Sequence, residues 1–238
     1  MDTMAATVGL LLLSPVFFVI GFAIAITSGK PILFRQWRFG RYGREFQLIK
    51  FRTMTATAAE SGPGLTRDGD SRVTWIGRWL RKWKLDELPQ LLNVLKGDMT
   101  LVGPRPDLEE FWSRATAADR QVLALKPGLT GAASIAFRDE ERLLAQVPPE
   151  RVTSFYLERV LPQKAALDSE YAAQATFRSD CRILLRTLLV SLRVERNSRN
   201  SYPDSEKFAS SSSASKHHTR QPSPTLAALK PTSSSGSC

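Results

Sequence analysis

Histidine is almost missing from this chain. Of 238 residues only His217 and His218 are histidines, and both lie in a Ser-rich stretch; residues 1–196 have none. That excludes a Ser-His-Asp or Cys-His relay from this body and argues against a His-based zinc site in it. Cysteine is equally scarce. Cys181 and Cys238 are the only two, so there is no disulfide framework and no CxxC metal site, which suits a reducing compartment. The sequence also lacks a Walker A loop, GxGxxG, GxSxG and HExxH, and the "GPG" at 62–64 is too short a signal for a nucleotide loop. Chemistry in residues 1–196 therefore falls to carboxylates, Lys, Arg, Tyr and hydroxyls.

Negative charge is thin at the start. Residues 1–84 carry 13 basic and 5 acidic side chains, residues 85–196 carry 15 and 16, and residues 197–238 carry 5 and 2. The overall excess of +10 thus belongs mainly to the first third. It suggests an anionic partner there, whether membrane surface, phosphate or nucleic acid. The length suits one domain plus an appendage.

What is present begins with "VGLLLLSPVFFVIGFAIAI", an uncharged run of 19 residues from Val8 to Ile26. As a helix it reaches roughly 28 Å, barely a bilayer core. "AIA" at 23–25 resembles a signal-peptide cleavage site, but residues 1–7 hold no Lys or Arg, so the run reads as a retained membrane element. Ser14-Pro15 interrupts it. Proline removes one helical hydrogen bond and a neighbouring Ser can satisfy the freed carbonyl. A kinked span and a helix that enters one leaflet and returns both fit. Lys30, Arg35, Arg38, Arg41, Arg44, Lys50 and Arg52 follow against a single Glu45, which places the body in the cytoplasm.

Ile32–Gln36 and Glu45–Arg52 alternate around Gly40 and Gly43 and predict two short strands, followed by a loop over 55–70. "RVTWIGRWLRKWKL" predicts a helix with Trp75, Trp79 and Trp83 on one face. Core burial is the ordinary fate of such a stripe. Here Arg72, Arg78, Arg81, Lys82 and Lys84 around it favour an amphipathic helix at a membrane interface. Helical signals continue over Asp86–Lys96, with Pro89 in the first turn and Gly97 as C-terminal cap. Residues 107–125 and 139–146 read as helical, with "KPGLTGA" a loop between them. "SDCRILLRTLLVSLRVER" reads as a second interfacial helix, with Ile183, Leu184, Leu188 and Leu192 on one side. From Asn197 on, 13 of 42 residues are Ser, too polar a segment to repay its ordering entropy.

Asp86 and Glu87 stand at a predicted helix start, just after Arg81, Lys82 and Lys84. Capping is the ordinary role of carboxylates there. The same place suits phosphate, and a carboxylate kept ionised among cations can serve as nucleophile or Mg²⁺ ligand.

Four blocks then take on meaning together. "QWRFGRYGREFQLIKFRTM", "LRKWKLDELPQLLNVLKGDMTLVGPRP", "KPGLTGAASIAFRDEE" and "LPQKAALDSEY" follow in the order found in the bacterial sugar transferases. The chain resembles the small, single-domain form of these monotopic polyprenyl-phosphate phosphoglycosyl transferases over about residues 8–193. The resemblance implies an α/β fold, mainly helical with few short strands. It implies a re-entrant helix over 1–29 broken at Ser14 and Pro15, a cytoplasmic catalytic domain over 30–196 with interfacial amphipathic helices, and a disordered tail over 197–238. It implies transfer of a sugar 1-phosphate from a UDP-sugar to undecaprenyl phosphate at the cytoplasmic leaflet of the bacterial inner membrane. Asp86 becomes the covalent nucleophile and Mg²⁺ ligand, with Glu87 beside it. Lys50, Arg52, Arg81, Arg105 and Arg138 match the family's basic positions, and the Pro-Arg-Pro turn is Pro104 to Pro106. No nucleic acid is expected as a partner, and a homodimer stays open.

Two departures stand out. A basic, Asp-containing lead-in before the membrane helix is not seen, and "AASIAFRDEE" replaces the frequent "QVNGR" type, which bears on sugar choice. The competing class is a membrane-anchored basic interaction protein that binds acidic lipid or nucleic acid. It accounts for charge and anchor but not for the block around Asp86, and residues 1–84 hold no nucleic-acid motif.

Overall fold

The computed structural model describes residues 2–55 and 65–192. The Ser-rich tail, Gly62 to Gly64, Arg193 and Arg196 lie outside the described residues. The break expected at Ser14 and Pro15 is corrected: helix α1 (Asp2–Ser28) runs without interruption through both. Pro15 cannot donate to the carbonyl four residues back, that of Leu11, and Ser14 Oγ donates to that same oxygen at 2.8 Å. The ladder is closed where proline opened it.

A two-stranded antiparallel hairpin follows, β1 (Leu33–Phe39) with β2 (Glu45–Phe51), in register from Leu33↔Phe51 to Phe39↔Glu45. The strands are close to those expected, with β1 starting one residue later and running three further, to Phe39. On the other edge of β2, Asn93 takes the place of a strand: its Nδ2 donates to Gln47 O at 2.7 Å, and its Oδ1 accepts from Ile49 N–H at 3.1 Å. Asn93 belongs to α3 (Leu91–Lys96), which ends at Gly97 with φ 85° as anticipated.

Between them lies α2 (Trp75–Lys82), whose first turn is capped by Thr74 Oγ1 accepting from Gly77 N–H at 3.0 Å. A Cβ on Gly77 would stand 2.1 Å from Thr53 O. The helix therefore crosses the end of β2 at a distance only glycine permits. Leu80 faces inward, whereas Trp75, Arg78, Trp79 and Lys82 face out.

Helix α1 packs on this unit near both ends. Ala6 joins Phe46, Leu48, Leu91, Val94 and Met99, and Thr100 Oγ1 donates to the Asp2 carboxylate. Ile20 and Ile24 join Phe51 and Leu80. Arg52 closes the C-terminal end by donating to the carbonyls of Ser28, Gly29 and Lys30. The rest of α1 is open: Leu11, Leu12, Phe18, Val19 and Phe22 are exposed. It is the one helix among the described residues long and apolar enough to cross a membrane.

The region read as helix over 107–125 is instead α4 (Glu109–Arg114) and a 3₁₀ turn, Asp119–Ala124, separated where Ala115 turns extended. The "KPGLTGA" loop is a correction too. It contains β4 (Gly128–Thr130), which pairs in parallel with β3 (Thr100–Val102). A Cβ on Gly128 would lie 2.1 Å from Gly103 N, so these glycines let the two chains cross. The crossing fixes the Pro-Arg-Pro turn. Helices α5 (Ala132–Ala136), α6 (Glu140–Ala145), α7 (Val152–Phe155), α8 (Leu161–Ala173) and α9 (Phe177–Leu192) complete the unit.

Helix α9 buries Ile183 and leaves Phe177, Cys181, Leu185, Leu188 and Leu189 exposed beside Arg178, Arg182 and Arg186. The outward stripe is rotated from the expected one because Ile183, its first member, is taken by the interior. The mainly helical α/β architecture with few short strands stands.

Candidate active site

Asp86 and Glu87 sit in a 3₁₀ turn, Leu85–Gln90, that leads into α3. The residue before it, Lys84, adopts φ 55°, and no side chain caps the turn. Capping, the ordinary role for this pair, is therefore not what either carboxylate does. Both are buried, and their surroundings differ.

Glu87 is saturated. Lys50 Nζ from β2 donates to its Oε1 at 3.3 Å, while Arg105 Nη1 donates to Oε2 at 3.2 Å and Nη2 to Oε1. Burial would raise its pKa, but Arg105 and then Lys50 outweigh burial and hold the carboxyl well below the usual range. The Arg105 guanidinium is correspondingly raised by Glu87. Lys50 is lowered by burial, against the pull of Glu87.

Asp86 is the opposite case. Its Oδ1 is buried without a hydrogen-bond partner. Burial and the neighbouring Glu87 charge push its pKa up, with Lys50, Lys84 and Arg81 opposing. Desolvation is the largest influence on this carboxyl, with the surrounding cations opposing it. One carboxylate has spent its bonding capacity and the other has an oxygen to spare.

Of the remaining expected site residues, Arg81 reaches Thr53 Oγ1 at 2.9 Å and Glu141 Oε1 at 3.1 Å. Arg138 lies half-buried in the turn between α5 and α6 and has no ion-pair partner among the described residues. Arg52 is committed to the α1 terminus. Arg67 and Arg120 do the same for α6 and α4, each donating to carbonyls of the last turn or just beyond it. Sequence reasoning missed Arg38, Asp107, Glu140 and Tyr156, which cluster around a buried Lys164. The "LPQK" block carried Lys164 but gave no sign that it is buried.

An orphaned, buried carboxylate oxygen is the kind of hard ligand Mg²⁺ takes, one or two carboxylates plus phosphate oxygens being its usual protein share. No three acidic, His or Cys side chains converge among the described residues. A cation here would draw its other ligands from phosphates and water.

Seen with this geometry, comparison with known proteins is unambiguous about class. The bacterial sugar transferase family matches residues 1–194, and the chain belongs to it. It is 38% identical over 193 residues to the UDP-glucose:undecaprenyl-phosphate glucose-1-phosphate transferase of Caulobacter vibrioides, covering 79% of this chain and 67% of that one. It is 38% identical over 141 residues to the UDP-N-acetylgalactosamine-undecaprenyl-phosphate N-acetylgalactosaminephosphotransferase of Aeromonas hydrophila, covering 57% and 33%. The exopolysaccharide production protein ExoY of Rhizobium meliloti is 37% identical over 154 residues, 58% of this chain and 68% of that one. The chain thus spans a third of the Aeromonas protein's length and two thirds of the other two.

Proposed function

We propose that this protein transfers a sugar 1-phosphate from a UDP-sugar to undecaprenyl phosphate and releases UMP, with Asp86 as covalent nucleophile. The observation that carries this reading is the asymmetry of the pair: Glu87 is held by Arg105 and Lys50, and Asp86 keeps a buried oxygen unpartnered. Relatives named for this reaction support the substrate classes. A basic interaction protein would leave the asymmetric pair without a purpose.

In the first step an Asp86 oxygen forms a bond to the donor's β-phosphorus, and the bond to the bridging oxygen breaks, its electron pair leaving on UMP. In the second, an oxygen of the lipid phosphate attacks the same phosphorus and the aspartyl oxygen leaves, restoring the carboxylate. Two transfers let a soluble donor and a lipid acceptor use one site in turn. Phosphoryl transfer asks mainly for positioning and charge neutralisation. Arg105 and Lys50 stand ready for the donor phosphates, and Arg81 is close enough for its charge to act on Asp86. Asp86 would hold Mg²⁺, which when bound supplies charge neutralisation at the phosphates.

Anchoring follows from packing. Both ends of α1 rest on the same body, and Asp2 is bonded to it, which supports a helix held on the cytoplasmic leaflet with both ends on one side. Trp75 and Trp79 on α2, with the exposed leucines and arginines of α9, supply two faces suited to the headgroup layer. The basic stretch after α1 supports a body on the cytoplasmic side of the inner membrane.

The test is rapid-quench mass spectrometry of wild type with UDP-glucose or UDP-N-acetylgalactosamine and Mg²⁺ but no lipid. A phosphosugar on Asp86 is expected, and UMP release on adding undecaprenyl phosphate. Asp86→Asn should fold, form no adduct and lose about a thousandfold or more in turnover, in line with loss of a catalytic nucleophile. Near-normal turnover in that variant would end the mechanism.

A further inference from the structure

Behind the Pro-Arg-Pro turn lies buried charge that the two transfer steps leave unused. Lys164 on α8 is 5% exposed. Its Nζ donates to Tyr156 Oη at 2.9 Å and stands 3.1 Å from Glu140 Oε2 and 3.6 Å from Asp107 Oδ2. Tyr156 Oη donates to Asp107 Oδ2 at 2.8 Å, and Arg38 lies 4.0 Å from the other Asp107 oxygen. Tyr156 opens a π-helical turn, Tyr156–Val160, of the kind often found at functional sites.

Arg105 is the link to the active site. It feels three carboxylates: Glu87 most strongly, then Glu140 and Asp107. Its end-on pair, Nη1 with Nη2, can face only one of them, and that one is Glu87. Asp107 is provided for by Tyr156, Lys164 and Arg38. Glu140 has Lys164 as its ion-pair partner and no other among the described residues. Without Lys164, Glu140 would be a half-buried carboxylate lacking a counterion, a costly state in a low-dielectric setting. A cation already under the influence of the Glu140 charge is Arg105.

We propose that Lys164 is a positioning residue: by holding Glu140 and Asp107 it leaves Arg105 on Glu87, where the donor's phosphates arrive. Lys164 itself touches no substrate. Its charge is secure, because burial would strip the proton but Asp107 and Glu140 outweigh burial and keep the ammonium well above the ordinary lysine range. The proposal rests on the transferase reading given above and adds a source for the geometry of its donor site.

The experiment measures kcat and KM for the donor in nanodiscs with saturating undecaprenyl phosphate, using whichever of UDP-glucose and UDP-N-acetylgalactosamine the wild type accepts. Lys164→Met should raise donor KM by about tenfold, with kcat and lipid KM within about threefold, as expected for a disturbed binding geometry. Adding Glu140→Gln to it should return donor KM to within about threefold of wild type although Lys164 is still missing, the signature of coupled neighbours. A merely structural lysine would not be rescued by losing a second polar group. A double variant that folds and melts like wild type but keeps the raised KM overturns the proposal, as does an unchanged KM in Lys164→Met. Should the single variant not fold, the double variant compared with wild type decides alone, on the same threefold limit. A wild type that releases no UMP from either sugar would sink the transferase reading and this proposal with it, and is distinguishable from failure of the proposal alone.

Discussion

Along α1, Phe18 is 79% exposed and Phe22 69%, whereas Asp107 and Lys164 in the catalytic unit are 8% and 5% exposed. A protein dissolved in water shows the reverse on both counts. Nine large apolar side chains of α1 are exposed: Met4, Val8, Leu11, Leu12, Val16, Phe18, Val19, Phe22 and Ile26. At the usual transfer cost their exposure to water would be unfavourable by on the order of 10 kcal/mol. The buried charges carry a penalty of another kind, met by pairing: Glu87 with Arg105 and Lys50, Glu140 and Asp107 with Lys164. The outward face of α1 suits hydrocarbon rather than water, and the buried charges are met by a closed set of counterions. The turn that carries Asp86 and Glu87 lies on the same unit that both ends of α1 touch.

The sharpest way to break this contrast is to put charge on the apolar side. Phe18→Lys with Phe22→Lys should each cost roughly 2.5–3.5 kcal/mol of insertion, together lowering partition into liposomes by more than about a thousandfold. Flotation measures it directly. Undiminished flotation would show that this face of α1 is not the membrane contact.

Next in size is the joint between the regions. Arg52→Ala removes charge-assisted bonds to three consecutive carbonyls and should destabilise the fold by about 3 kcal/mol, with donor KM unchanged. Denaturant unfolding and steady-state kinetics separate the outcomes. A raised KM with stability intact would restore the phosphate-binding role that the "KFR" motif suggested for this residue.

The smallest effect lies in the buried polar region. Asp168 on α8 accepts from Ala133 N–H at 2.9 Å, and burial pushes its pKa up to about 6. The folded protein therefore binds a proton there more tightly than the unfolded chain does. The contribution is fully present below the unfolded value of about 3.9 and is lost as pH rises through the folded one. Asp168→Asn keeps an acceptor for Ala133 and carries no charge. It should stabilise the protein by roughly 2 kcal/mol at pH 7.5 and by nothing at pH 4. Melting curves at the two pH values check it; an equal gain at both would mean that charge is not the cause.

Much of the local structure was readable in the sequence. The hairpin followed from alternation around Gly40 and Gly43, and the end of α3 from Gly97. Ser14 was legible as the group that would serve the carbonyl freed by Pro15, because both positions lie within one turn. The Asp86-Glu87 pair was recognisable from its block. What escaped was tertiary. A three-residue parallel pair such as β3 with β4 leaves no periodicity to detect, since its partners are 28 residues apart. Lys164 and Asp107 look in sequence like any solvated charge. Helix α9 announced itself as amphipathic, but which apolar arc the interior takes depends on what α9 packs against. Which member of the acidic pair is free depends on Lys50 and Arg105, 37 and 18 residues from Glu87.

One modest contact has a consequence for how these molecules behave in company. Strand β2 has β1 on one side only, and its outer edge carries Gln47 C=O and Ile49 N–H. Such an edge is a template on which another chain can dock, a hazard that grows when proteins are confined at high density to a membrane surface. The Asn93 side chain occupies that acceptor and that donor at once. A single amide thereby acts as a stopper against edge-to-edge aggregation, and the helix that supplies it is the one into which the Asp86-Glu87 turn leads.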